Sequence, residues 1–236
     1  MSLLSVVKSV CATVGVQLPT SIFSGIGGNR SMQEMLECAN DMAQRIAYDT
    51  RDWTRLRTTV TFTGDGTTMA FDLPVNYKRM LLTSNVWRST TALYPMRFIP
   101  DTDEWMNRRV RNWNDWPHGE WTMLGGQILI FPALPVGQTA YFAYLDKNCI
   151  ALNSGGFGDF FLNDGDSFVL DERLLKLGMI WDWKAKKGSP YNEDMGTYET
   201  ALGMVAGHDS PAPVIIGRNT ISSSARITYP FMVPNP

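Results

Sequence analysis

The chain has only two histidines, His118 and His208, and only three cysteines, Cys11, Cys38 and Cys149. Two histidines cannot build a multi-histidine metal site within one chain, and a Ser-His-Asp triad would have to draw on one of them. The sequence has no G-x-S-x-G nucleophile elbow to serve such a triad, so both histidines read as loop or surface residues. Three widely spaced cysteines fit neither a disulfide framework nor a C-x-x-C metal knuckle, and a reducing compartment is the simpler reading. No metal and no cofactor is expected. Basic charge is not in excess either. With 21 Lys and Arg against 23 Asp and Glu, nothing overall drives non-specific phosphate binding. Long apolar runs are also lacking. The opening MSLLSVVKSVCATVGVQL is broken by Lys8 and too short to cross a bilayer, so it reads as an amphipathic helix and no membrane is expected as a partner. GIGGNR at 25–30 lacks the third glycine of a dinucleotide fingerprint and the lysine of a P-loop, and no strand precedes it, which makes it a hinge.

A core-forming composition is present, 44% hydrophobic over 236 residues, enough for one large domain or two small ones. Leu3, Val7, Val10 and Val14 recur at helical spacing behind Ser2, predicting a helix over 3–14 that ends at Gly15. Ser31 and Glu34 have the spacing of a capping box in front of Met32, Met35, Leu36, Ala39, Met42, Ala43 and Ile46. They predict a second helix that starts there and runs into the 50s. The period then changes. RTTVTFTGDGTTMAFDLP alternates threonine with apolar residues around Gly64-Asp65-Gly66, which predicts a β-hairpin. Strand-like runs come next at MLLTSNVWRS, TMLGGQILIFPAL and TAYFAYLDKNCI, interrupted by a short helix at DTDEWMNRRVRNW.

Helical periodicity returns after Asp166. Leu170, Leu174, Leu177 and Trp181 form one row, and Leu175, Met179, Ile180 and Trp183 widen it, so this helix should be packed on more than one side. Asp171 and Glu172 at its start and Lys184, Lys186 and Lys187 at its end suit the helix dipole. A second helix over about 191–206, with Tyr191, Met195, Tyr198, Leu202 and Val205 at helical spacing, should pair with it antiparallel. The last thirty residues contain five of the chain's thirteen prolines. They nevertheless carry Val214, Ile215, Ile216, Ile221, Ile227, Tyr229, Phe231 and Met232, too many apolar side chains for a solvated linker. Such a segment finds its burial on a partner.

Two patterns could carry chemistry. Glu193 beside Asp194, and the cluster Asp101, Asp103 and Glu104, could supply an acid-base carboxylate pair, as a peptidoglycan-cleaving accessory would need; solvated faces and helix caps are their bland reading. WMNRRVRNWNDW interleaves Arg108, Arg109 and Arg111 with Trp105, Trp113 and Trp116. That combination suits stacking on a single-stranded nucleic acid, or equally an inter-subunit or tail contact anchored by Trp and Arg, which the slightly acidic chain favours.

Taken in order, several stretches resemble the head-to-tail adaptor (head-completion, connector) proteins of tailed bacteriophages. They are SLLSVVKSVCATVGVQLP, RDWTRL, TFTGDGTTMAFDLP with YKRM, the DEW at 103–105, GGQILIFPALPVGQTAYFAY and, most distinctively, LDERLLKLGMIWDWKAKKGSPYNEDMGTYETAL. The resemblance spans about residues 2–206. It implies a non-enzymatic virion protein of the neck, assembled in the host cytoplasm. Many copies, commonly twelve, ring the portal protein, offer a platform to a tail or nozzle protein, and let double-stranded DNA pass. The fold it implies is α+β, with a helical bundle made of 1–56 and 166–206. A mainly antiparallel β unit is inserted at 57–150, 151–165 is a connecting loop, and 207–236 is an extended C-terminal arm that docks on the portal. Leu174, Leu177, Trp181, Trp183, Tyr198 and Leu202 would form the bundle core.

Overall fold

The computed structural model describes residues 2–24, 29–82, 84–89, 94–113 and 116–209. Helix α1 (Leu3–Val14) begins where the Ser2 side chain accepts the Ser5 amide and ends at Gly15, whose φ of 74° only glycine adopts without cost. Helix α2 (Arg30–Gln44) starts two residues earlier than the capping-box reading. Asn29, not Ser31, is the N-cap, and its carboxamide oxygen accepts the Ser31 amide at 3.1 Å. A π-helical turn (Arg45–Asp49) and a 3-10 turn (Thr54–Leu56) carry the chain into the β region, and Trp53 Nε1 donates back to the Ile46 carbonyl at 2.7 Å.

Three sheets come next. The first joins β1 (Arg57–Thr63), β3 (Tyr77–Met80), β4 (Trp87–Arg88) and β8 (Thr139–Asp146), with β8 pairing antiparallel to all three others. The second has the order β2-β7-β6-β5, formed by β2 (Ala70–Asp72), β5 (Arg97–Phe98), β6 (Glu120–Leu124) and β7 (Gln127–Phe131), in which β5 and β6 are parallel. Helix α3 (Thr102–Val110), capped by Asp101, connects β5 to β6. The third sheet is small, β10-β9-β11, from β9 (Ile150–Ala151), β10 (Phe157–Gly158) and β11 (Ser167–Phe168). Helices α4 (Glu172–Lys186) and α5 (Asn192–Asp209) close the described chain, α4 being capped by Asp171, whose carboxylate accepts the Leu174 amide at 2.9 Å.

The hairpin expected around Gly64-Asp65-Gly66 does not form. β1 pairs with β8 and β2 with β7, in different sheets. The cause is a distant contact. The Gly64 amide donates to the Gln138 carbonyl and Gly66 to that of Leu134, and a Cβ at Gly64 would lie 2.4 Å from Leu134. Only glycine lets the two turns meet. Asp65 holds the connection by accepting the amides of Thr67 (2.8 Å) and Thr68 (2.6 Å).

The overall architecture also corrects the expected one. Over the described residues the chain is a mixed α/β protein, 39% helix and 21% strand with three sheets, and not a helical bundle with a small inserted β unit. The helical core of α1, α2 and α4 takes in Leu145 of β8, Cys149, Ile150 of β9, Phe161 and Phe168 of β11. Tyr144 and Phe142 of β8 belong instead to a second core, with Phe62, Trp121, Ile128 and Ile130, between the first two sheets. Successive strand residues face opposite ways, so Tyr144 and Leu145 put one strand in both cores. Ile99, Trp105 and Phe131 form a third, small core under α3.

Candidate interaction surface

Helix α4 lies at the centre of the helical layer, against α1, α2 and α5. Of the six residues expected in its core, Leu174, Trp181, Trp183 and Tyr198 are buried, while Leu177 and Leu202 are half-buried at the margin. The Trp181 ring sits 6.1 Å from that of Tyr198, with the Arg45 guanidinium 5.1 Å from its centroid. Burying each indole contributes a few kcal/mol, by roughly 25 cal/mol per Å² of apolar surface. Gly178 lets α4 approach α2, since a Cβ there would be 2.5 Å from Met42.

The lysines after Trp183 are paired within the chain. Lys184 meets Asp194 at 2.6 Å, Lys186 meets Asp182 at 2.7 Å, and Lys187 bonds Glu34. Asp194 is therefore engaged by a lysine, while Glu193 is exposed at the first turn of α5, beside a groove of about 710 Å³ that Met204, Val205 and His208 also line. Burial raises the Cys11 thiol and, with the Asp182 carboxylate beside it, the Cys38 thiol. Burial also pushes the Cys149 thiol up to about 11. None of the three offers a thiolate near neutral pH. Among the described residues no group of three or more His, Cys, Asp or Glu is placed to hold a metal ion, and no helix is long and apolar enough to cross a membrane.

The Trp- and Arg-rich stretch is drawn apart by α3. Trp105 turns inward at 2% exposure. Arg108 also turns inward, its Nη1 lying 2.7 Å from the fully buried Glu120 and its Nη2 2.7 Å from Glu104, with its guanidinium 5.5 Å from the Trp113 centroid. A guanidinium already held by two carboxylates is unavailable to a phosphate. Arg109 lies 5.5 Å over Phe131, leaving Arg111 exposed. Trp116 donates its Nε1 to the Pro95 carbonyl.

Outside remain Met106 (51% exposed), Val110 (87%) and Trp113 (52%), spaced i, i+4, i+7 along and just beyond α3. A second exposed apolar group lies after β9, where Phe157, Phe160 and Leu162 project while Phe161 between them is buried. Three phenylalanines in the glycine-rich GGFGDFFL are the sequence signal for it, within the stretch expected only to connect the β unit to the helices. Asp166 shapes that segment. Fully buried, it accepts the amides of Asn153, Leu162 and Asn163 at 2.7 to 2.8 Å, and the neighbouring carbonyls of Asp164 and Asp166 accept Leu4 and Leu3 of α1. The arm residues Val214, Ile215, Ile216, Ile221, Ile227, Tyr229, Phe231 and Met232 lie outside the described residues.

No family model matches this chain. No curated protein matches it at a significant level.

Proposed function

We propose that the protein is a structural head-to-tail adaptor of a tailed bacteriophage. Copies of it form a ring that joins the portal to the tail and lines part of the DNA exit channel. The carrying observation is the pair of sequence-local sets of exposed apolar side chains, Met106-Val110-Trp113 and Phe157-Phe160-Leu162. Large apolar side chains grouped on a surface mark contact with other protein, and a ring subunit meets its neighbours on two different faces. The adaptor-like stretches, above all 170–202, fall on the α4 and α5 pair and give the reading its class. In this assembly the C-terminal segment beyond α5 supplies the arm that docks on the portal, and the slightly acidic chain presents no overall basic surface to hold passing DNA.

The test mixes the purified protein with the portal of the same genome, with and without residues 210–236. Association as a symmetric ring that the shortened chain cannot form supports the reading. Full portal binding by the shortened chain removes the docking role of the arm, and no association by the folded full chain removes the adaptor reading.

A further inference from the structure

The outer edge of β1 is open. Its seven residues pair with β8 in unbroken register, from Arg57 opposite Leu145 to Thr63 opposite Thr139. Among the described residues β1 has no second strand neighbour, and beyond Arg57, whose amide donates to the Thr54 carbonyl, no backbone hydrogen bond reaches its other edge. Long regular edges are normally blunted by charge, proline, a bulge or a covering element. Beyond Arg57 the strand reads Thr-Thr-Val-Thr-Phe-Thr, uncharged, without proline and without a bulge. A strand of this kind offers its free amides and carbonyls to an extended segment.

The end of α5 indicates which segment. The Thr54 amide donates to Asp209 Oδ2 at 3.0 Å, and the Thr54 hydroxyl donates to the Asp209 carbonyl at 3.1 Å. Arg51 Nη2 lies 3.7 Å from the same carboxylate. Thr54 precedes β1 by three residues, so the chain is delivered at residue 209 to the start of the open strand with residues 210–236 still to come. Two small clefts flank this point and share Arg55. One, of about 230 Å³, is lined by Trp53, Leu170 and Val205; the other, of about 260 Å³, by Thr58, Phe157 and Val169.

Beyond residue 209 the sequence continues with Ser-Pro-Ala-Pro and then Val214-Ile215-Ile216, closed by Gly217. Two prolines bias the chain to extended backbone, and three β-branched residues before a glycine have strand character. Five extended residues span at most about 17 Å, while the four from Thr54 to Thr58 cover about 13 Å or less. The run is therefore long enough to reach β1 of its own molecule, starting from the end at which β1 begins.

We infer that Val214-Ile215-Ile216 adds to the free edge of β1 of the same chain as a parallel strand. This pairing anchors the root of the C-terminal segment on the body and leaves the residues after Gly217 for contact with a partner. It is a property of the protein alone and stands or falls separately from the adaptor reading.

The test is amide exchange of β1, followed by NMR, in the full chain and in two full-length variants, Ile215→Pro and Ile216→Pro. Consecutive strand amides point to opposite edges, so one of the two prolines removes a pairing N–H. The alternate β1 amides that face away from β8, Arg57 apart, should be protected in the full chain and exchange about tenfold faster or more in that variant. The amides bonded to β8 should keep their rates, reporting an intact fold. Outer amides that exchange freely in the full chain overturn the pairing, as does protection that neither proline alters. Protection that fades on dilution assigns the strand to a second copy and overturns the same-chain assignment.

Discussion

Arg108 and Glu120 form a buried ion pair, the guanidinium Nη1 lying 2.7 Å from Oε1 of a carboxylate with no solvent exposure. The pair ties α3 to the first residue of β6 and turns inward the first arginine of the Trp- and Arg-rich stretch. Removing one partner leaves the other charged and buried. Arg108→Ala should therefore cost about 3–5 kcal/mol of unfolding free energy. Arg111→Ala, on an exposed side chain, should change stability by no more than about 0.5 kcal/mol. Denaturant unfolding of the two variants separates them.

Gly178 sets how closely α4 approaches α2. In an exposed helix, replacing glycine by alanine would stabilise by roughly 1 kcal/mol. Here the added methyl would meet the buried Met42 at 2.5 Å, so the sign should reverse. Gly178→Ala is expected to destabilise by about 1–3 kcal/mol, and Gly203→Ala, where a Cβ meets nothing within 4 Å, to stabilise or be neutral. Thermal melts of both variants check this.

Asp166 collects three backbone amides of the segment that displays Phe157, Phe160 and Leu162. Asp166→Ala leaves those donors unpaired in a buried place and should cost roughly 2–4 kcal/mol. It should also loosen the tie to α1, seen as faster amide exchange at Leu3 and Leu4, whose amides bond the Asp166 and Asp164 carbonyls.

Asp65 is solvent-exposed, yet the hydroxyl of Thr68 and the amides of Thr68 and Thr67 hold its carboxyl well below the usual carboxylate range. A folded-state pKa below the unfolded one means that the stabilisation is present above the ordinary carboxylate pKa and is lost as pH falls through the lower folded value. NMR titration should show Asp65 protonating well below the usual carboxylate range, with the Thr67 and Thr68 amide signals moving at the same midpoint. Thr68→Val should bring that midpoint back up.

Local signals are readable in the sequence where their causes are local. Ser2, Asp101 and Asp171 cap the helices that periodicity predicts, and Gly15 and Gly188 follow the helices that end beside them. The failures share a physical source, since each depends on a residue far away in sequence. Gly64 looks like a hairpin glycine until Leu134 is placed against it, and Glu120 looks like a strand carboxylate until Arg108 reaches it. The expected bundle fails for the same reason. Nothing in TAYFAYLDKNCI reveals that Tyr144 and Leu145 face two different cores. Gly178 is legible in principle, because a glycine inside so apolar a helix has a packing cause. The nearness of Asp209 to the start of β1 rests on the Thr54 contact, which no pattern in the sequence displays.

Assembly on a portal is the central claim. Light scattering of the full chain alone, and after mixing with the portal from the same genome, measures it directly. The expected result is a mass gain on mixing that corresponds to a closed ring of copies on the portal. A folded protein that leaves the portal mass unchanged would contradict it.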